Sequence, residues 1–139
     1  MANEARRLIR LGEATPGDAF RAMVELGLAR LRSNSSQTQR LIAAQPGPVA
    51  EPDRNQAALV SLVAYVIPRV AARLPWRADC LIQALAARRW LARHGVATTL
   101  TLGVQRDQPA DFEAHAWLMA GTRIVTGGDI SGYEPFARP

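Results

Sequence analysis

The sequence predicts an α+β fold, with a helical N-terminal half, one long central helix and then a small antiparallel sheet. Two observations predict it. Apolar residues recur at helical spacing in the first half, as in Phe20, Met23, Val24, Leu28 and Leu31. From residue 96 onward the pattern changes to short runs rich in Thr, Val and Leu, separated by polar or glycine-containing turns. Runs of helix followed by runs of strand argue for α+β rather than an alternating α/β architecture. The 139 residues suit a single domain with one core.

The elements follow in order. Residues 1–12 are basic and weakly amphipathic. Thr15-Pro16-Gly17-Asp18 is a helix start, with threonine as N-cap and proline at the first helical position. Ser33 to Ser36 ends that helix, and a short second helix is expected over 37–44. Residues 45–53, with Pro46, Gly47, Pro48 and Pro52, read as a linker. A helix restarts at Asp53 and runs through Leu59, Leu62, Val63 and Val66, and Pro68 is expected to kink or end it. Asp79 is a second N-cap, opening a helix that carries Cys80, Leu81, Ala84, Leu85, Trp90 and Leu91 and stops at Gly95. Strands are expected over 96–104, 114–120 and 123–126, with Gly121 in a tight turn and a Gly- and Pro-rich tail from Gly127.

Composition narrows the functional classes. The hydrophobic fraction is 48% and the charged fraction 21%, which is ordinary for a soluble globular protein. The net charge is +5 and every basic residue is arginine. An all-arginine protein can be a nucleic-acid binder, but these arginines are scattered rather than clustered, so codon bias is the preferred reading and no nucleic-acid partner is expected. A mildly basic surface still attracts an acidic peptide or protein. The single cysteine cannot form an internal disulfide, which fits a reducing compartment. The opening MANEARRLIRLGE lacks the apolar core of a signal peptide, and the most apolar stretch, Ala57 to Val66, is too short to span a membrane. A cytoplasmic protein without a membrane partner is expected.

Cys80 is the first candidate for chemistry. A free cysteine is often a small buried hydrophobe. This one lies in the first turn of a predicted helix, where unpaired N–H groups and the helix dipole favour a thiolate and can hold a developing oxyanion. His115, mid-strand in Glu113-Ala114-His115-Ala116-Trp117, is the candidate base; strand alternation puts Glu113, His115, Trp117 and Met119 on one face. His94, about 20 Å from Cys80 along the helix, cannot serve and instead suits the helix C-terminus. A Cys–His pair needs a third group to fix the imidazole tautomer. Asp129 is the candidate, with Asp111 and Glu113 as competitors. A two-residue turn at Ala120-Gly121 would pair Thr126 with His115 and put Asp129 on the wrong face; a bulge at Gly127-Gly128, or a three-residue turn over 120–122, restores the phase. Trp76, Trp90 and Trp117 read as core or site-lining aromatics, Trp90 as core. One cysteine and two distant histidines do not make a zinc site, and the glycines near Asp129 lack a P-loop lysine, so no metal or cofactor is expected.

Cys80-Leu81, Ala84-Leu85-Ala86, Leu91, Gly95-Val96, Gly103-Val104 and Phe112-Glu113-Ala114-His115-Ala116-Trp117, together with Arg73-Leu74-Pro75 upstream, form an ordered series over residues 73–136. It resembles the transglutaminase-like B2 proteins of lasso-peptide gene clusters, the stand-alone leader peptidases of that biosynthesis. The resemblance implies a papain- or transglutaminase-like core over 76–139, preceded by a helical part over 1–75. It implies a Cys-His-Asp triad of Cys80, His115 and Asp129; Trp76 and Trp117, read from the residues themselves, are the candidate substrate-binding aromatics. The implied activity is removal of the leader from a ribosomally made precursor peptide. The implied partners are a separate small leader-recognition protein (the B1 partner) and an asparagine-synthetase-like macrolactam cyclase. Many relatives carry arginine just before the cysteine, where this chain has Asp79. The N-terminal half shows no winged-helix pattern of its own, so recognition is expected to come from the separate protein, docked partly on the helical half. For the second oxyanion donor beside the Cys80 N–H, Trp76, Arg77 and Gln83 are the candidates. Two other readings stand beside this one: acyl transfer to an amine, as in true transglutaminases, and a non-catalytic basic adaptor for a peptide or nucleic acid.

Overall fold

The computed structural model describes residues 15–33, 40, 50–105, 114–128 and 132–135. Helix α1 spans Pro16–Arg32, α2 spans Arg54–Arg73 and α3 spans Cys80–Ala92. Strands β1 (Thr99–Gln105), β2 (Ala114–Ala120), β3 (Arg123–Thr126) and β4 (Tyr133–Pro135) complete the order. The α+β reading holds: the helices pack against one antiparallel sheet of four strands, ordered β3-β2-β1-β4.

Local chemistry sets the helix starts. Thr15 caps α1 through its hydroxyl and receives the Asp18 carboxylate in return. Asp53 caps α2 and Gln56 reciprocates. Asp79 caps α3, accepting from the Ile82 amide at 3.0 Å. Helix α3 ends at the expected glycine: Gly95 has φ +74°, and the Val96 amide folds back onto the Leu91 carbonyl at 3.0 Å.

Pro68 was expected to kink or end its helix, and it does not end it. It lies inside α2, which continues for another turn and a half to Arg73. Tertiary packing overrides the proline, because Val60, Val63 and Ile67 are fully buried and Ala71 beyond the proline is buried too. The continuous helix is therefore long and apolar enough to cross a membrane by length and composition, which the stretch ending at Val66 was not. Its apolar side chains instead join the core, with Leu26 and Ala22 of α1, Leu85 and Leu91 of α3, and Leu100, Ala116 and Leu118 of the sheet.

The β2–β3 hairpin also differs from the expected one. Its turn is Gly121-Thr122, with Ala120 opposite Arg123. A bulge then shifts the register between Leu118 and Met119, so that Met119 faces Ile124 while Leu118 faces Thr126. Thr126 is thus three residues away from the partner that strict pairing from an Ala120-Gly121 turn would give it. The irregularity falls within β3, before the glycines where the sequence suggested it. Strand β4, in the tail read as irregular, pairs antiparallel with β1 through Gly103↔Pro135 and Gln105↔Tyr133. Within the expected helix over 37–44 only Arg40 is described, and it is helical; the rest of that stretch, most of the 45–53 linker and residues 106–113 lie outside the described residues.

Candidate active site

Helix α3 begins at Cys80, so the thiol stands where the first-turn amides point. Strand β2 begins beside it. The Ala116 amide, directly after His115, donates to Cys80 Sγ at 3.4 Å. A donor aimed at sulfur is worth most when the sulfur carries charge. Cys80 and His115, 35 residues apart in sequence, are thereby brought to the same side of the fold, where the start of α3 crosses β2.

Both residues line a cleft of about 510 Å³, within the range of small-molecule and peptide-side-chain sites. Ala64 and Pro68 of α2 form one wall, Gln83 of α3 lies beside Cys80, and residues 124–128 form the opposite wall. The helical N-terminal part thus contributes a side of the cleft.

His115 is fixed on two sides. Its Nε2 lies 2.7 Å from the Gly127 carbonyl oxygen. Its ring packs 4.7 Å from the Tyr133 ring and 6.1 Å from that of Trp117, centroid to centroid. Sequence reasoning missed both Gly127 and Tyr133. A main-chain carbonyl leaves no side-chain signature, and Tyr133 reaches the histidine only through the unforeseen β4.

The remaining candidates separate. Gln83 lines the cleft; its side-chain amide donates one bond to the Ala78 carbonyl at 3.0 Å, and its second N–H is available for another. Trp76 lies elsewhere, under the Arg30 guanidinium, 5.1 Å from its ring centroid. Trp117 is 3% exposed and supports His115 and Tyr133 from the side, so it backs the site rather than lining it. Neither tryptophan is among the described cleft-lining residues. Trp90 is buried in the core, as expected. His94 caps its helix end, with Nδ1 3.1 Å from the Trp90 carbonyl. Asp79 is confirmed as an exposed N-cap immediately before the thiol. Asp129, Asp111 and Glu113 lie outside the described residues.

A thiol at a helix N-terminus and a strand histidine in one cleft is an arrangement compatible with cysteine-dependent acyl transfer. Comparison with protein families agrees: residues 22–138 match the model of the transglutaminase-like superfamily. The chain belongs to the transglutaminase-like superfamily. The match runs from α1 through the tail, so the helical part is included in this superfamily domain along with the sheet. No curated protein and no solved structure is similar enough to this chain to add to that match. At the level of the superfamily, membership is consistent with cysteine protease or acyltransferase chemistry.

Proposed function

We propose that this chain is a cysteine peptidase that removes the leader from a lasso-peptide precursor, working with a separate leader-recognition protein. The observation that carries the chemistry is the shared cleft, with Cys80 at the start of α3 and His115 held on β2 beside it. His115 takes the Cys80 proton, and the thiolate adds to the scissile carbonyl. Collapse of the tetrahedral intermediate breaks the C–N bond, and His115 returns the proton to the departing amine. The thioester that remains is attacked by water, which gives a proton to His115. A carboxylic acid and the free thiol are released. The Cys80 N–H and the Gln83 side chain are the donors assigned to the oxyanion. No metal or cofactor enters the scheme.

The lasso-peptide assignment rests on the ordered series from Arg73 to the Ala-His-Ala-Trp strand, now carried within a transglutaminase-like domain. The recognition partner is supported by α1. At 100° per residue, Phe20, Val24, Gly27 and Leu31 lie on one line, opposite Ala22, Leu26 and Ala29 in the core. Phe20 is 66% exposed and Leu31 83%. A helix apolar on both faces is buried on both in its working state. A groove of about 250 Å³ between α1 and α2, about 100° around α1 from Phe20 at Ala19, carries Arg69 and Arg73. We assign this face to the recognition protein, whose contacting surface is expected to be apolar with an acidic rim.

The deciding experiment incubates the chain with a precursor and the recognition protein encoded beside it, read by mass spectrometry. Hydrolysis appears as leader and core fragments summing to the precursor plus one water; acyl transfer to an added amine does not add water. Cys80→Ala is expected to abolish cleavage with an unchanged melting temperature. Full activity in that variant would sink the proposal.

A further inference from the structure

We infer that Pro68 equips the cleft with a free main-chain acceptor, the Ala64 carbonyl, which takes a backbone N–H of the peptide substrate. The inference deepens the peptidase reading and rests on it for the identity of the ligand. Pro68 lies inside α2, with helix on both sides of it. Proline has no N–H, so the helical bond from position 68 to the carbonyl four residues earlier is missing, and the ring crowds that carbonyl outward. The residue four positions earlier is Ala64.

The location of this gap gives it a use. Ala64 and Pro68 stand about one turn apart on the same face of α2, and both line the cleft that holds Cys80 and His115. Helical carbonyls point along the axis toward the C-terminus, so the Ala64 oxygen lies between the two residues, at the cleft wall. Both residues are half-buried, neither closed off in the core nor on open surface. Only a methyl group stands at Ala64 to cover the oxygen. The next carbonyl, that of Tyr65, accepts from the Arg69 guanidinium at 2.9 Å. Among the described residues no side chain does the same for Ala64. A carbonyl without a donor in a partly dry place is destabilising, and a ligand N–H relieves that penalty on binding.

The remaining walls indicate what carries that N–H. Opposite α2 stand Ile124, Val125, Gly127 and Gly128, and no described lining residue carries a carboxylate or a guanidinium. Such a slot suits an uncharged stretch of peptide, held by its main chain, with an apolar side chain resting on Pro68.

Pro68→Ala tests this by restoring the missing donor, which closes the Ala64 carbonyl into the helix. The full chain and the recognition protein are given precursor peptides in which one backbone amide near the scissile bond is replaced by an ester. The ester removes the N–H and keeps the length of the chain. Binding is read by calorimetry in a Cys80→Ala background, so that no turnover is needed, and cleavage is read in parallel with Cys80 intact. At one position the ester is expected to weaken binding to the proline-containing chain roughly two- to tenfold, the effect of one hydrogen bond. The same ester is expected to have no effect on the Pro68→Ala chain, which binds the unmodified peptide more weakly by a similar factor. A wall that had merely lost bulk would weaken amide and ester alike. Pro68→Ala is also expected to melt at a higher temperature, because a proline leaves a helix interior. Equal ester penalties in the two chains, no sensitive position, no binding, or a melting temperature that fails to rise overturns the inference. Cleavage without the ester pattern leaves the peptidase reading standing and removes the acceptor. The ester pattern without cleavage by the Cys80 chain does the reverse.

Discussion

Cys80 sits between two polar neighbours. At the start of α3 the Ala116 amide donates to its sulfur, while the Asp79 carboxylate stands one residue before it. Asp79 cannot simply be removed, because it caps the helix through the Ile82 amide. Asp79→Asn separates the two roles, since asparagine caps about as well as aspartate without the charge. It is expected to raise the rate of Cys80 alkylation by iodoacetamide about two- to fivefold at low salt, with little change in melting temperature. Asp79→Ala should instead cost about 1 kcal/mol of stability through the lost cap. Gln83 provides a second measurement at this scale. If its free amide N–H meets the oxyanion, Gln83→Ala lowers kcat by roughly 10²–10³ and changes KM little. The residues with side-chain chemistry were legible in the sequence: the cysteine, its cap and the histidine all stand where spacing put them. The groups that position the histidine were not, because a carbonyl and a distant aromatic depend on the path of the backbone.

Among the elements, α1 has an unusual burden. Its inner face anchors the helical layer, and its outer face is as apolar as the inner one at Phe20, Val24 and Leu31. Changing Phe20 and Leu31 together to serine therefore separates folding from docking. The double variant is expected to keep its melting temperature within a few degrees, because neither side chain is in the core. Its affinity for the proposed recognition protein is expected to fall at least about tenfold, measured by calorimetry, if α1 carries the proposed interface. Unchanged affinity would remove α1 from the docking surface. At this scale the sequence was most readable where local chemistry decides: all three helix starts have N-caps whose side chains bond the chain ahead of them. It was least readable where packing wins over local preference. Pro68 was expected to kink or end α2; the helix does not end there, because Val60, Val63 and Ile67 keep it seated in the core past the proline. The hairpin misled for the same reason, because a one-residue bulge is a property of two strands together and leaves no local signature in either.

The whole molecule is tied together by a few polar contacts across its layers. Glu25, 1% exposed, lies between Arg21 of its own helix and Arg89 of α3, at 2.9 and 3.1 Å. Arg89→Ala leaves that carboxylate with one partner in a poorly solvated place and is expected to cost roughly 1–3 kcal/mol, seen as a lower denaturation midpoint in urea. On the other side, the Arg123 side chain reaches Ser61 of α2, linking β3 to the same helical layer. The helical part and the sheet thus share one core and several polar ties, which is why the superfamily match extends back into α1. Glu51, just ahead of α2, accepts from the Thr122 amide at 2.6 Å, and its carboxylate fills the space beside Gly121 that a larger residue would need. The tip of the hairpin that carries His115 is therefore fastened by a residue 71 positions earlier. A gene cut between residues 75 and 76 would separate the fastener from what it fastens. The two fragments, produced apart, should each lack half a core, and activity should return only when they are mixed. Such a split pair would report its own reassembly through cleavage.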